Sequence, residues 1–401
     1  MGRIDPIGNL IAGKRVGRGE QLLEKQHEGG PHVLAPLAGE VGSTRQVRLL
    51  DGHLAAAVEV KPNGADQSTV ASPAQALRAE PSVGADDNLE SWIERLRGAG
   101  VSASRWTSPD LLGQLTEAVR EPVDALICNV LDVDPTVPVN TALAAHYARE
   151  LVAGLRMLAG ITKAERVLIA VGANAPVDWT GDLRGELLGW SAARIVALVN
   201  AYPQADPSLL MYSLLNRRLA PGRLPTDLGA IVLDASAAIA VGRLVLNGEP
   251  MLTTPLAVRD HVRRESHFCA VPIGTPLASV LAQLGMPSPM QMVVRGGDVL
   301  RDIQLAGPIV VGGTELIVHA NMPEPPINPD PCIRCGWCFE SCPTSVQPAN
   351  CLEAAQREDV DLALRFGIEG CIDCGICSYV CPSHLPILAG IRQMRSSIAQ
   401  R

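Results

Sequence analysis

Eleven cysteines are present, and eight of them fall in two runs of one pattern. Cys332, Cys335, Cys338 and Cys342 precede Pro343, and Cys371, Cys374, Cys377 and Cys381 precede Pro382. Each run reads C-x2-C-x2-C-x3-C-P. Three thiolates at this spacing can wrap one iron–sulfur cube, because each turn of loop returns a sulfur to the same side. Where a chain holds two cubes with this spacing, the fourth cysteine of each run ligates the other cube. The expected ligands of one [4Fe–4S] cluster are therefore Cys332, Cys335, Cys338 and Cys381; those of a second are Cys371, Cys374, Cys377 and Cys342. A pair of structural zinc sites is the alternative, since zinc also uses C-x2-C knuckles. Zinc has no use for a third C-x2-C step or a repeated Cys-Pro ending. The spacing favours the clusters.

At 401 residues the chain has room for two to four domains, each with its own core. Hydrophobic residues make up 47% and aromatics only 3%, so a globular core must be built from Ala, Val, Leu and Ile. The net charge of −8 argues against nucleic acid as a partner, because phosphate binding needs clustered positive charge. No charge-free apolar run of about eighteen residues occurs, so no bilayer-spanning helix is expected. Met1-Gly2-Arg3-Ile4-Asp5 lacks the apolar core of a secretory signal. Eight cysteines needed as thiolates point to a reducing cytoplasm. Peripheral attachment to a membrane complex is compatible with this composition. Cys128, Cys269 and Cys351 stand apart from the two runs.

The elements that must position the cysteines read as an α/β multidomain chain. Residues 1–70 look β-rich: a turn-rich lead-in from Gly13 to Glu20, a strand-like Val33 to Val41, and a weakly alternating Leu54 to Lys61. The pattern resembles the barrel-sandwich hybrid of lipoyl and biotinyl domains, without the lysine those domains carry at the hairpin tip. Residues 71–88 are a linker in Gly, Ser, Ala, Asp and Pro. Residues 89–249 alternate helices with short apolar strands, as parallel βαβ units do. The expected strands include Ala125 to Val130, Arg166 to Val171, Arg194 to Val199 and Ala230 to Leu233; Thr141 to Leu158 and Ala235 to Leu246 are expected helices. Residues 250–321 fit a β-grasp-like fold, with a helix over Leu277 to Leu284 and strands at Gln291 to Val294 and Glu315 to His319. Residues 322–401 form the cluster domain, entered through a stiff proline-rich segment.

This order of modules resembles the C subunit of the Rnf electron-transport complex (RnfC). It is a barrel-sandwich hybrid, a Rossmann-like α/β domain, an SLBB-type β-grasp domain and an α-helical 2x[4Fe–4S] ferredoxin-type domain. The segments that carry the likeness are Ala201-Tyr202-Pro203-Gln204, Leu224-Pro225-Thr226-Asp227-Leu228-Gly229, Val271-Pro272-Ile273-Gly274-Thr275-Pro276 and Cys371 to Ser383. A cobalamin reductase of bacterial microcompartments shares the modules in another order. The resemblance implies a cytoplasmic subunit, peripheral on the inner face of the cell membrane. It would pass single electrons between a soluble donor or acceptor and the other subunits of an Rnf-like complex. Two alternatives are a flavin-dependent NADH or cobalamin reductase with a divergent FMN site, and a non-catalytic iron–sulfur scaffold.

In that family, and in the related flavoprotein subunit of complex I, the α/β domain holds FMN and NADH. This chain departs from the family's three motifs. The glycine loop that presents N–H groups to the flavin phosphate is replaced by Ser102-Ala103-Ser104-Arg105-Trp106-Thr107-Ser108. The Asn-x-x-Glu-x-Glu-Pro motif survives in shortened form as Asn129, Asp132, Asp134 and Pro135, and the acidic-Asn-Lys motif as Gly172-Ala173-Asn174-Ala175-Pro176. These losses weigh against FMN and against NADH oxidation. Asp132 and Asp134 are expected to cap the next helix or face solvent, Arg105 with Trp106 to plug the vacated pocket, and Gly296-Gly297 and Gly312-Gly313 to mark tight turns. Cys351 is expected to be a buried free thiol. His384, next to the second cluster, either bonds a sulfur or is solvated.

Overall fold

The structure is a computed structural model that describes residues 12–23, 30–50, 52–62, 88–103, 109–175, 177–220, 223–287, 291–298, 300–301, 303–313, 317–323 and 328–399. The chain divides into two units. One is Met1–Arg217 with Leu224–Gly297 and Ile303–Met322; the other is Arg218–Arg223 with Asp298–Asp302 and Pro323–Arg401.

The first unit begins with short strands β1 (Arg15–Val16), β2 (Gln21–Leu23) and β3 (Val33–Leu34), then the longer β4 (Gly39–Leu49) and β5 (Leu54–Pro62). β4 and β5 form an antiparallel hairpin, β1 pairs with the start of β4, and β2 pairs with β3. The strand expected over Val33 to Val41 is broken in the middle. Pro36 has no N–H to give a ladder, and the fully buried Ala35 instead bonds outward, its N–H to Glu20 O at 2.8 Å and its carbonyl to Gly19 N at 2.8 Å. Of the linker expected at 71–88, only Asn88 lies within the described residues. It caps the next helix by accepting from Ser91 N at 2.7 Å.

Helices and strands then alternate: α1 (Leu89–Gly98), α2 (Leu111–Ala118), β6 (Ala125–Asn129), α3 (Val139–His146), α4 (Ala148–Thr162), β7 (Arg166–Gly172), α5 (Val177–Glu186), β8 (Ala193–Leu198), α6 (Pro207–Leu215), β9 (Ala230–Asp234) and α7 (Ala235–Asn247). The four strands are parallel in the order β8-β7-β6-β9. Alternate side chains sort to opposite faces. Leu126, Cys128, Ile169 and Leu233 pack with residues of α1, α4 and α7; Ile127, Ala170 and Val232 pack with Leu210 and Met211 of α6. Edge strand β9 is closed by a side chain rather than a strand. Gln114 of α2, fully buried, donates to Val232 O at 2.8 Å and accepts from Val232 N at 2.8 Å. That pairing removes an edge open to another chain.

The helix expected as one piece over Thr141 to Leu158 is two. Tyr147 leaves helical geometry between α3 and α4, at φ −122° and ψ 41°. No proline or glycine marks the break, so apolar spacing ran the two together. Beyond α7 come β10 (Thr253–Asp260), β11 (Glu265–Pro272), α8 (Leu277–Gln283), β12 (Val293–Gly296), β13 (Ile303–Leu305), β14 (Ile309–Val310) and β15 (Ile317–Asn321). Five of these strands form a sheet in the order β11-β10-β15-β12-β13, with β10 and β15 parallel and the other neighbours antiparallel. Leu277 and Leu281 of α8 pack on it, and β14 pairs with β4 instead. Gly296 belongs to β12 and not to a turn: a Cβ there would run into the carbonyl oxygen of Leu50. The turn begins at Gly297, with φ 113°.

In the second unit the cysteine runs alternate with helices: α9 (Trp337–Glu340), α10 (Pro348–Gln356), α11 (Val360–Arg365), α12 (Ile376–Tyr379) and α13 (Ile387–Ala399). Its core is small, centred on Val346, Cys351, Leu352, Ile368, Ile387 and Ile391. Among the described residues, no helix of the chain is long and apolar enough to cross a membrane.

Candidate metal centres

The two cysteine runs are built alike. Cys332 Sγ accepts the N–H of Arg334 at 3.4 Å, and Cys371 Sγ accepts that of Asp373 at 3.4 Å. Arg334 and Asp373 both take left-handed backbone, at φ 55° and 60°, which turns the loop between the first two cysteines back on itself. Gly336 and Gly375 follow at φ 85° and 78°, a region glycine enters freely, and begin α9 and α12 with Cys338 and Cys377 on them. After each Cys-Pro a residue again goes left-handed, Ser345 and His384, before α10 and α13.

The consequence of the repeat is an exchange of fourth cysteines. Cys332, Cys335, Cys338 and Cys381 line one cavity, together with Pro382 and Ser383. Cys342, Cys371, Cys374 and Cys377 line another. Asp373 is fixed by Arg392 of α13, whose Nε lies 3.0 Å from each carboxylate oxygen and whose Nη2 lies 2.8 Å from Oδ2. The two sets differ in burial. Cys332 and Cys335 are exposed, whereas Cys374 and Cys377 are buried. Burial pushes the Cys374 thiol up to about 11 and, with the neighbouring Cys371, Cys374 and Cys342 sulfurs adding to it, that of Cys377 up to about 12. Bare thiols of this kind hold their protons at neutral pH, so metal binding must displace them.

Among the described residues no group of three or more His, Cys, Asp or Glu side chains converges as a single bound ion requires. Zinc would draw four sulfurs to about 2.3 Å from one point. A cube instead takes each thiolate on a different iron, so its ligands stand around a volume rather than a point. Two cavities, each lined by four cysteines, suit the cube. Cys351 lines neither cavity. It is fully buried, its Sγ 3.8 Å from Phe366 O, with its thiol pushed up to about 12 by burial. His384 follows Cys381, Pro382 and Ser383, which line the first cavity, and is itself exposed.

The other sequence-derived candidates lie at the carboxyl ends of the parallel strands. The strand order reverses between β6 and β9, where open α/β sheets bind ligands. Asn129 and Asp234 are register partners there. Both work inward: Asn129 donates to Ala205 O at 2.8 Å and accepts from Leu131 N at 3.2 Å, and Asp234 caps α7 by accepting from Ala237 N at 2.8 Å. Asp132 Oδ1 accepts the N–H groups of Asn140 and Thr141 at 2.7 and 3.3 Å, and its Oδ2 accepts the Thr141 hydroxyl at 2.6 Å. Asp134 holds Thr136 through its N–H at 2.8 Å and its hydroxyl at 2.7 Å. Both acids are buried, so the expected capping role stands for Asp132 and solvent exposure does not. These side chains hold the protein's own backbone and hydroxyls. Arg105 and Trp106, expected as a plug, lie outside the described residues. Gln114 was invisible in sequence, where a glutamine on a helix reads as surface.

Fold and site together define an α/β protein that carries an iron–sulfur dicluster module. Residues 112–243 match the Nuo51 FMN-binding domain family, and residues 324–382 match the 4Fe-4S dicluster domain family. Over most of its length the chain is similar to C subunits of ion-translocating oxidoreductase complexes. That of Pasteurella multocida (strain Pm70) is 29% identical over 322 residues, covering 77% of this chain and 37% of that protein. That of Haemophilus influenzae (strain Rd) is 25% identical over 418 residues, covering 98% of this chain and 48% of that protein. The chain spans about half the length of the curated relatives it matches. Among solved structures, an NAD+-reducing [NiFe]-hydrogenase in the H2-reduced state aligns over 78% of this chain and 62% of its own, with TM-score 0.48 and 16% identity.

Proposed function

We propose that this chain is an electron-relay subunit of an Rnf-like complex, peripheral on the cytoplasmic face of the membrane. Cys332, Cys335, Cys338 and Cys381 hold one [4Fe–4S] cluster, and Cys371, Cys374, Cys377 and Cys342 hold the other. The observation that carries the reading is the exchange of Cys342 and Cys381 between two sulfur-lined cavities. Bound there, the clusters supply one-electron oxidation and reduction. The chain's own residues set how easily this happens. The N–H groups of Arg334 and Asp373, aimed at Cys332 and Cys371 sulfurs, stabilise negative charge on the thiolates and favour the reduced state. Burial of Cys374 and Cys377 works the other way at the second set, by keeping water from the charge.

The remaining modules serve as scaffold in this reading. Residues 1–70 are a barrel-sandwich-hybrid unit. Residues 89–249 are the complex I flavoprotein-like domain without a working FMN or NADH site. Residues 250–321 are an SLBB β-grasp domain, whose central parallel pair flanked by antiparallel strands supports that reading. Residues 322–401 are the cluster domain. The partners are other subunits of the membrane complex and a soluble electron donor or acceptor. Iron, sulfide and flavin are to be measured on anaerobically purified protein, followed by a redox titration read by EPR. Eight iron atoms per chain, two reversible signals and no flavin are the expected result. Zinc, or clusters that do not reduce reversibly, would remove the relay. Retained FMN with NADH-driven reduction would favour the reductase alternative.

A further inference from the structure

The first unit contains a cavity of about 350 Å³, and none of its lining residues belongs to either cysteine set or to the acids after β6. That volume falls in the range of about 300–1,000 Å³ typical of small-molecule sites. Its walls are one face of α3, one face of α7 and the paired strands β10 and β11. Spacing explains the helical part. Val139, Leu143 and His146 recur one turn apart on α3, with Tyr147 just past its end, as Ser236, Ile239 and Arg243 do on α7. Each helix therefore lays a single stripe on the space. β11 contributes Phe268, which is 51% exposed although large aromatics are scarce in this chain. Most of the lining is aliphatic, and an apolar chamber accepts an apolar body readily.

Arg243 is the cation in this lining. Its guanidinium carbon lies 4.4 Å from the centre of the Tyr147 ring, and that ring meets His146 edge-on at 4.6 Å. Glu249 also borders the cavity, yet no ion pair joins it to Arg243. Among the described residues the guanidinium has no side-chain or backbone hydrogen-bond partner. A guanidinium stays charged at any physiological pH, and stacking on a ring leaves its edge N–H groups open. A fork of N–H donors beside an aliphatic chamber is complementary to a carboxylate on an apolar chain.

We infer that the chamber between α3, α7 and the β10–β11 pair binds a small apolar carboxylate, with its chain among the aliphatic side chains and its head on Arg243. The site lies outside the electron-relay reading and does not depend on it. The full chain, with its clusters in place, is to be titrated with 8-anilinonaphthalene-1-sulfonate. Octanoate and the uncharged octanol then compete for the dye. The expected result is displacement by octanoate, with octanol weaker by about tenfold or more, the scale of one charge-assisted hydrogen bond. Arg243→Gln should lower octanoate to the level of octanol and leave octanol unchanged. Ala240→Phe, which fills the space, should weaken both, with the cluster absorbance reporting an intact fold. Equal displacement by the two competitors, octanoate binding that survives Arg243→Gln, or no displacement at millimolar octanoate would each overturn the assignment.

Discussion

Arg392 grips Asp373 by three contacts of 2.8 to 3.0 Å, and Asp373 sits between two of the second set's cysteines in left-handed backbone. The same guanidinium donates to Arg301 O at 3.0 Å. One side chain of α13 thus holds the turn that presents Cys371 and Cys374. Arg392→Ala should cost about 1.5–3 kcal/mol, the range for a hydrogen bond to a charged group. The loss should fall on the second cluster. Iron content dropping toward one cluster per chain, with the first EPR signal kept, is the expected outcome; full occupancy of both would show that the turn holds itself.

Exchange of the fourth cysteines makes a prediction about pairs of variants. Cys342→Ser should abolish the same reduced-state EPR signal as Cys374→Ser, although Cys342 belongs to the other run. Cys381→Ser should match Cys335→Ser. If each run instead held its own cluster, Cys342→Ser would match Cys335→Ser. The comparison needs no absolute assignment of either signal.

Helices α4 and α7 touch backbone to backbone. A Cβ on Gly242 would run into the carbonyl oxygen of Glu150, and one on Gly154 into that of Ala238. Gly242→Ala should therefore destabilise by about 1–3 kcal/mol through overpacking. Gly181 of α5, with nothing within 4 Å of its Cβ position, is the control. Gly181→Ala should be neutral or gain about 0.5–1 kcal/mol, as expected for a helix interior. Thermal unfolding of the two variants side by side separates close packing from glycine content.

The cysteine sets were legible because ligand chemistry fixes spacing directly in sequence. The parallel sheet was legible because strands such as Ala125–Asn129 are apolar on both faces. What escaped was tertiary. The break at Tyr147 has no local signal, and its ring packs on Arg243, which is distant in sequence. Gln114 looks like a surface residue until β9 is placed beside it. Gly296 looks like a turn glycine until Leu50 is found against it. Asp132 was legible as a helix cap but not as a buried one, since nothing in the sequence says what covers the loop.

Burial is also what makes Asp132 a pH-dependent group. It lifts the carboxyl from 3.8 to about 6, against the opposing pull of its bonds to Thr141 and Asn140. The folded state therefore holds this proton more tightly than the unfolded chain does. The group's contribution to stability is fully present below 3.8 and is lost as pH rises through about 6. A shift of this size corresponds to a loss on the order of 3 kcal/mol above that range. Asp132→Asn abolishes the titration. Its Oδ1 still accepts the N–H groups of Asn140 and Thr141, and its amide can donate to the Thr141 hydroxyl oxygen. Relative to the parent, this variant should be more stable at about pH 8 than at about pH 5. Asp132→Ala also removes the titration but leaves the start of α3 uncapped, so it should show the same pH slope as Asp132→Asn, displaced downward by about 1–2 kcal/mol. Urea unfolding at the two pH values decides the matter. Equal pH slopes for the parent and Asp132→Asn would mean that the carboxyl is already ionised in the folded state and that its hydrogen bonds, not its burial, set its charge.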